Sequence, residues 1–178
     1  LNISYFSNSG SDANEGAIKL AYKYHEGKRD FILNSNISFH GKKLVAANIT
    51  DSRETKYFKF QEVVKAQNFE YNNFDSLCKK VLELRKNGKS NVYAIILEPF
   101  SASSLLELSE DFLFKTRKLC DDNDIVLIFD EVYSGWGKTG NLFYFMNFQN
   151  LIPDIVTSGK SLGGGKASIS AYTCREKF

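Results

Sequence analysis

The sequence predicts an α/β layered fold, and three observations carry that reading. Two runs, Val92-Tyr93-Ala94-Ile95-Ile96-Leu97 and Ile125-Val126-Leu127-Ile128-Phe129, are continuously apolar, as parallel strands covered on both faces tend to be. Each run follows a stretch whose apolar residues recur at helical spacing, so helix and strand alternate along the chain. The chain has 178 residues, 43% hydrophobic and 25% charged, which is enough for one sizeable core.

Element by element, Ala13, Ala17, Leu20 or Ala21 and Tyr24 mark an amphipathic helix over 12–25, with Gly27 as its stop. Phe31 to Leu33 suits a strand, and 41–48 a short helix. No period organises 51–72, and no element is assigned there. Phe74, Leu77, Cys78, Val81 and Leu82 define a second helix stopped near Asn87-Gly88, ahead of the first buried strand. Leu105, Leu108, Phe112 and Leu119 mark a third helix, ahead of the second buried strand. A shorter run, Asp154-Ile155-Val156-Thr157, comes later. No repeat, low-complexity tract or linker interrupts the chain, so residues 1–178 read as one domain or part of one.

Composition removes several function classes. Lys plus Arg number 23 against 21 Asp plus Glu, a net charge of +2; nucleic-acid binding needs a more concentrated basic surface. No apolar run approaches the roughly 20 residues of a membrane helix. Hydrophobic content this high with only 2 Pro argues against wholesale disorder. Cys78, Cys120 and Cys174 lie far apart in no metal-ligand spacing, so no metal site is predicted and the thiols read as reduced structural residues of a reducing compartment. The text starts at Leu1 and begins and ends abruptly, and the expectation is a piece of a longer protein.

In open α/β sheets ligands bind beyond the carboxyl ends of the strands. Glu98 closes the first buried strand, Asp130 closes the second, and Lys160 follows the short run at 154–157. Any one of them alone reads first as a solvated strand end; together, on adjacent parallel strands, they meet at one rim. Asn8-Ser9-Gly10-Ser11-Asp12 adds a tight turn at Gly10 and a cap from Ser11 or Asp12 before the first helix, whose free N–H groups could meet a phosphate. A helix start with no ligand is the commoner meaning of such a segment. Asp130-Glu131 after an apolar strand resembles a Walker B motif, but a Walker A loop ending in Gly137-Lys138-Thr139 would need glycine at Val132, and would have to precede it. Gly135 to Gly140 fits G-x-G-x-x-G without the following helix or the acidic residue of a dinucleotide site. What remains is an N–H cradle, a strand-end carboxylate and a lysine in the glycine-rich loop 158–165. A pyridoxal phosphate site needs these parts: a lysine for the Schiff base, a carboxylate for the pyridinium proton and donors for the phosphate.

The chain resembles the class III, or ω-aminotransferase, family of fold-type I pyridoxal-phosphate enzymes. NSGSDANEGAIKLA (8–21), FHGK (39–42), ILEP (96–99), LIFDEVYSGWGKTGNLF (127–143) and PDIVTSGKSLGGG (153–165) carry the resemblance. It implies a three-layer α/β/α large domain with a mostly parallel sheet, of which residues 1–178 are the cofactor-binding part, with an N-terminal segment and a C-terminal small domain outside them. It implies that Lys160 forms the Schiff base with pyridoxal 5′-phosphate and shuttles the proton, while Asp130 holds the pyridine nitrogen. Ser9, Gly10 and Ser11 would hold the phosphate, chiefly through the N–H groups of Gly10 and Ser11. Phe39 and Val132 would cover the two ring faces, with His40 lining the pocket and Glu98 on the substrate side. Tyr133 stands where many members have a glutamine that reaches the cofactor's 3′ oxygen. Asp12 replaces the usual glutamate, and Phe100 to Ser104 replaces a Gln-Gly-type segment, which bears on substrate class.

The implied reaction is ping-pong transfer of an amino group from an amine or amino acid to a keto acid or aldehyde. A homodimer sharing its active site, with a partner threonine reaching the phosphate, and a cytoplasmic location go with it; nucleic acid and membrane do not. The isolated 178 residues are expected to bind cofactor poorly and turn over little. A decarboxylase, racemase or aminomutase on the same scaffold is the alternative within this chemistry. Outside it stand a non-catalytic homologue and, on Asp130-Glu131 alone, a nucleotide-binding ATPase.

Overall fold

The computed structural model describes residues 1–51 and 62–178. In chain order the elements are β1 (Ile3–Ser7), α1 (Gly10–Tyr24), β2 (Phe31–Ser35), α2 (Leu44–Asn48), β3 (Lys65–Phe69), α3 (Phe74–Glu83), β4 (Arg85–Lys86), β5 (Lys89–Ser90), β6 (Val92–Leu97), α4 (Glu110–Asn123), β7 (Val126–Asp130), β8 (Ile155–Ser158) and β9 (Ser170–Cys174). Among the described residues the main sheet has seven strands in the order β1-β9-β8-β7-β6-β2-β3. The five strands from β8 to β3 are parallel, and β9 and β1 run antiparallel at one end.

Every residue of β6 and β7 is buried, because alternate side chains serve two cores. Ile95, Leu97, Leu127 and Phe129 pack with Leu77 and Val81 of α3 and Phe112, Leu113 and Cys120 of α4. Ile96, Val126 and Ile128 pack on the other face with Ala17, Ile18 and Ala21 of α1. Each fully buried Leu, Ile or Phe contributes about 1.5–3 kcal/mol, and this burial holds the three layers together. The alternation slips once: Phe31 pairs with Val92 but Ile32 pairs with Ala94, so Tyr93 and Ala94 both join the α1 face. The three-layer, mostly parallel α/β arrangement is the one expected.

Local details correct the sequence reading. The first helix starts at Gly10 and is capped by Ser9, earlier than a cap at Ser11 or Asp12. The second helix ends at Glu83; Asn87 and Gly88, with φ of 52° and 76°, instead form the two-residue turn of the β4–β5 hairpin, where left-handed conformations match the strand twist. The third helix excludes Leu105 and Leu108 and begins at Glu110, because Ser109 Oγ accepts the Phe112 N–H and two acidic residues fill the first turn. In the region left without assignment, β3 forms an edge strand, while residues 52–61 lie outside the described residues. Cys78, Cys120 and Cys174 are free thiols.

Candidate active site

The parallel pairing of β6, β7 and β8 brings their carboxyl ends to one rim, next to the start of α1. Ser9 is extended; its Oγ accepts the Asp12 N–H at 3.3 Å and donates to Asp12 Oδ2 at 2.7 Å. Ala13 N–H takes the Ser9 carbonyl at 3.0 Å as the first intrahelical bond. The N–H groups of Gly10 and Ser11 therefore have no partner within the helix and lie at the wall of a cleft, at the positive end of the helix dipole. A Cβ on Gly10 would stand 2.6 Å from Val132 Cγ1, so glycine lets the helix start approach the residue after β7. Gly41, at φ 129°, likewise admits the Ser11 side chain, bringing the Phe39-His40 turn against α1. Lys43 and Ser9 hold the Asp12 carboxyl below its usual range through hydrogen bonds.

Asp130, 4% exposed, ends β7. Its Oδ2 accepts from Asn14 Nδ2 at 2.7 Å and from His40 Nδ1 at 2.8 Å, and its Oδ1 accepts the Val132 N–H at 3.0 Å. Because a carboxylate only accepts, His40 carries its proton on Nδ1; Nε2 is buried without a partner among the described residues. Asn14 gives its second N–H to the His40 carbonyl at 2.8 Å and accepts the Thr157 hydroxyl at 2.6 Å. That hydroxyl has one proton, so Thr157 Oγ1 at 3.4 Å from Asp130 Oδ1 does not also donate there. Oδ1 keeps an acceptor site.

Glu98, 7% exposed, follows β6 and accepts the Phe39 N–H at 2.7 Å and the Ala102 N–H at 3.2 Å. Burial pushes its pKa up to about 7; His40 opposes the shift and the Asp130 charge adds to it. Glu98 thus ties the Phe39 turn to the loop after β6. Lys160 follows β8 at φ 45°, opening a 3-10 turn at Lys160–Gly163. Its Nζ lies 5.6 Å from the centroid of the Tyr133 ring.

All ten residues singled out in the sequence, Ser9, Gly10, Ser11, Phe39, His40, Glu98, Asp130, Val132, Tyr133 and Lys160, line this one cleft. Asn14 and Thr157, which orient Asp130, were not singled out. The available signal for Asn14 was a polar residue beside Ala13 and Ala17 on the inner face of a helix, where burial demands partners. Glu131 points away from any nucleotide role: its oxygens accept from Ser134 Oγ at 2.8 Å and from the Tyr144 and Phe145 N–H groups at 2.6 and 2.9 Å, fixing the turn that follows.

A family model described as aminotransferase class-III matches residues 2–178. The acetylornithine aminotransferases of Prochlorococcus marinus and of a Synechocystis strain are 40% and 41% identical to the chain over 97% of its length. The chain spans 42% and 41% of those two proteins. Among solved structures, a transaminase from the marine bacterium Virgibacillus superposes with a TM-score of 0.89 at 26% identity, over 99% of this chain and 42% of that one. The taurine:2-oxoglutarate aminotransferase of Bifidobacterium kashiwanohense, solved with PLP and glutamate, gives 0.86 at 25% identity over 98% of this chain and 42% of its own.

Proposed function

The chain belongs to the class III aminotransferase family, and from that premise we propose that residues 1–178 are the cofactor-binding part of the large domain of a pyridoxal-phosphate enzyme, one that moves an amino group from an amine or amino acid to a keto acid or aldehyde. The observation that carries this reading is the convergence of Lys160, Asp130 and the free N–H groups of Gly10 and Ser11 on one cleft. The residues fit the cofactor: Asp130 Oδ1 has an unfilled acceptor site, and the α1 start offers donors where a Cβ on Gly10 would not fit.

When bound, pyridoxal 5′-phosphate supplies a carbonyl for amines and an electron-poor ring that stabilises a carbanion. Gly10 and Ser11 hold the phosphate by their N–H groups, with the α1 dipole behind them. Asp130 keeps the proton on the ring nitrogen, and Asn14 and His40 keep Asp130 in place. Phe39 and Val132 cover the ring faces and exclude water. Lys160 anchors the cofactor, gives way to the incoming amine, and then carries a proton on Nζ. Glu98 sets the substrate side of the cleft. N-acetylornithine as donor is the narrower reading, favoured by the names of the relatives. A homodimer with a shared site and a cytoplasmic location belong to the same reading and rest on family membership. Among the described residues no helix is long and apolar enough to cross a membrane.

The test is an absorbance spectrum of the full-length protein with pyridoxal phosphate, before and after borohydride, beside Lys160→Ala. The expected result is a visible band that borohydride abolishes, leaving the cofactor on Lys160 in a peptide map, with amino transfer from N-acetylornithine to 2-oxoglutarate. A labelled Lys160 without transfer to any keto acid would favour decarboxylation or racemisation. Absence of label at Lys160 would sink the catalytic reading.

A further inference from the structure

Among the described residues the Lys160 ammonium makes no ion pair and no hydrogen bond. What it meets is an aromatic ring: Tyr133, whose centroid lies 5.6 Å from Lys160 Nζ and 4.5 Å from Lys138 Nζ. The ring is itself braced. Phe100 stacks on it at 6.2 Å with an interplanar angle of 13°, and Tyr144 leans on Phe100 at 6.1 Å. Tyr144 is pinned by its hydroxyl, donating to Glu107 at 2.8 Å, and by its N–H, donating to buried Glu131. Lys160 is also held at a positive φ of 45°, a conformation that costs a non-glycine residue about 1–2 kcal/mol and that the surrounding turn must enforce.

We propose that Tyr133, braced by Phe100, is a positioning residue for Lys160, its ring face holding the lysine head at the cleft whenever the amine is not engaged with the cofactor. The proposal deepens the function above and rests on Lys160 being the reactive lysine. An ammonium is drawn to the negative face of an aromatic ring, and a lysine side chain left free has about 2 kcal/mol of rotamer entropy with which to wander from the reacting atoms. Lys138 shares the ring as a competing cation; burial and then the Lys160 charge hold Lys138 below the usual lysine range. Among the described residues the Tyr133 hydroxyl has no hydrogen-bond partner, so the ring face is the contact that matters.

The test is reductive methylation of the full-length protein before cofactor is added, followed lysine by lysine by mass spectrometry, with Lys79 on the outer face of α3 as internal reference. Tyr133→Leu is expected to speed modification of Lys160 about two- to fivefold, the equivalent of about 0.5–1 kcal/mol for an exposed cation–π contact. Tyr133→Phe keeps the wild-type rate because the ring remains. Phe100→Leu, which leaves the ring but removes its brace, gives an intermediate rate, and Lys138→Met slows Lys160 by freeing the ring for it. An unchanged rate in Tyr133→Leu overturns the proposal, and so does a Tyr133→Phe rate equal to that of Tyr133→Leu. Should Tyr133→Leu fail to fold, Phe100→Leu and Lys138→Met carry the test, and no movement in either is the refutation. Methylation needs neither cofactor nor turnover, so this proposal and the aminotransferase reading fail separately.

Discussion

Two buried aspartates flank the strand pair β7–β8 at opposite ends, and their surroundings differ in kind. Asp154, 1% exposed at the start of β8, faces three cations: Arg117 Nη1 at 2.9 Å, Lys177 Nζ at 3.1 Å and Arg175 Nε at 3.7 Å, together with the Leu127 N–H at 3.0 Å. Burial pushes its pKa up, and Arg117, the Leu127 N–H and Lys177 outweigh it, leaving the carboxyl below its usual range. Asp130, at the end of β7, meets only dipoles and a histidine that donates through Nδ1, and keeps one acceptor site. A buried charge neutralised from within serves the fold. One held by neutral donors is ready for a cation from outside.

The largest expected effects come from swapping each carboxylate for its amide in the full-length protein. Asp130→Asn removes the charge that keeps the cofactor ring protonated, and amino transfer is expected to fall about a thousandfold, the scale of losing a preorganised electrostatic partner, with the melting temperature nearly unchanged. Asp154→Asn leaves Arg117 buried without its counter-charge, a loss of about 3–5 kcal/mol of stability. Melting curves and turnover of both variants decide the matter: if Asp130→Asn melts as early as Asp154→Asn while still turning over, the contrast collapses. Asp154 also fixes a pH dependence. Its folded pKa lies below the reference value of 3.8, so its stabilisation is present above that pH and is lost as pH falls through the lower folded value.

Glu98 sharpens the comparison from between the two extremes, since it is buried with two backbone donors and no cation of its own. Its folded pKa of about 7 stands above the reference of 4.5, so the folded state holds the proton longer than the unfolded chain. Stability from this group is therefore full below 4.5 and declines as pH rises to about 7, by an amount on the order of 3 kcal/mol. Glu98→Gln is expected to flatten that part of the melting temperature against pH curve while leaving the acid limb set by Asp154 in place. An unflattened curve between pH 5 and 7 would mean that Glu98 is ionised throughout and that its backbone bonds suffice.

The contrast between the two aspartates was only half visible in the sequence. Asp130 and Glu98 could be placed because each ends a continuously apolar run, and in a parallel sheet that position alone fixes the rim. The FHGK and GKS stretches then supplied their neighbours. Asp154 could be seen only as the head of a short run: its partners come from α4 and from residues 175 and 177, and nothing local announces that meeting. Asn14 and Thr157 were missed for the same reason, since their hydrogen bonds span 116 and 143 residues of sequence. The edge strands β1 and β3 were illegible because they are largely exposed or polar, and alternation requires one buried face to be read. The start of α4 was misplaced because Leu108 is buried in the core ahead of the helix, which makes it mimic a helical position.

The smallest expected effect tests whether the two ends of the sheet differ even in their helix caps. Ser9 caps α1 at the cleft and Ser109 caps α4 on the opposite layer, each accepting a backbone N–H three residues on at 3.3 Å. Replacing either with alanine removes one cap bond, so both variants are expected to lose about 1 kcal/mol of stability. Only Ser9 has a second task, because its hydroxyl also holds the Asp12 carboxylate at 2.7 Å, beside the N–H groups that meet the phosphate. Freed of that bond, the Asp12 charge can swing toward the anion, so Ser9→Ala is expected to weaken pyridoxal-phosphate binding several-fold while Ser109→Ala leaves it unchanged. Equal affinities for the two variants at equal stability would show that the helix start binds phosphate by its backbone and dipole alone, with the cap residue interchangeable.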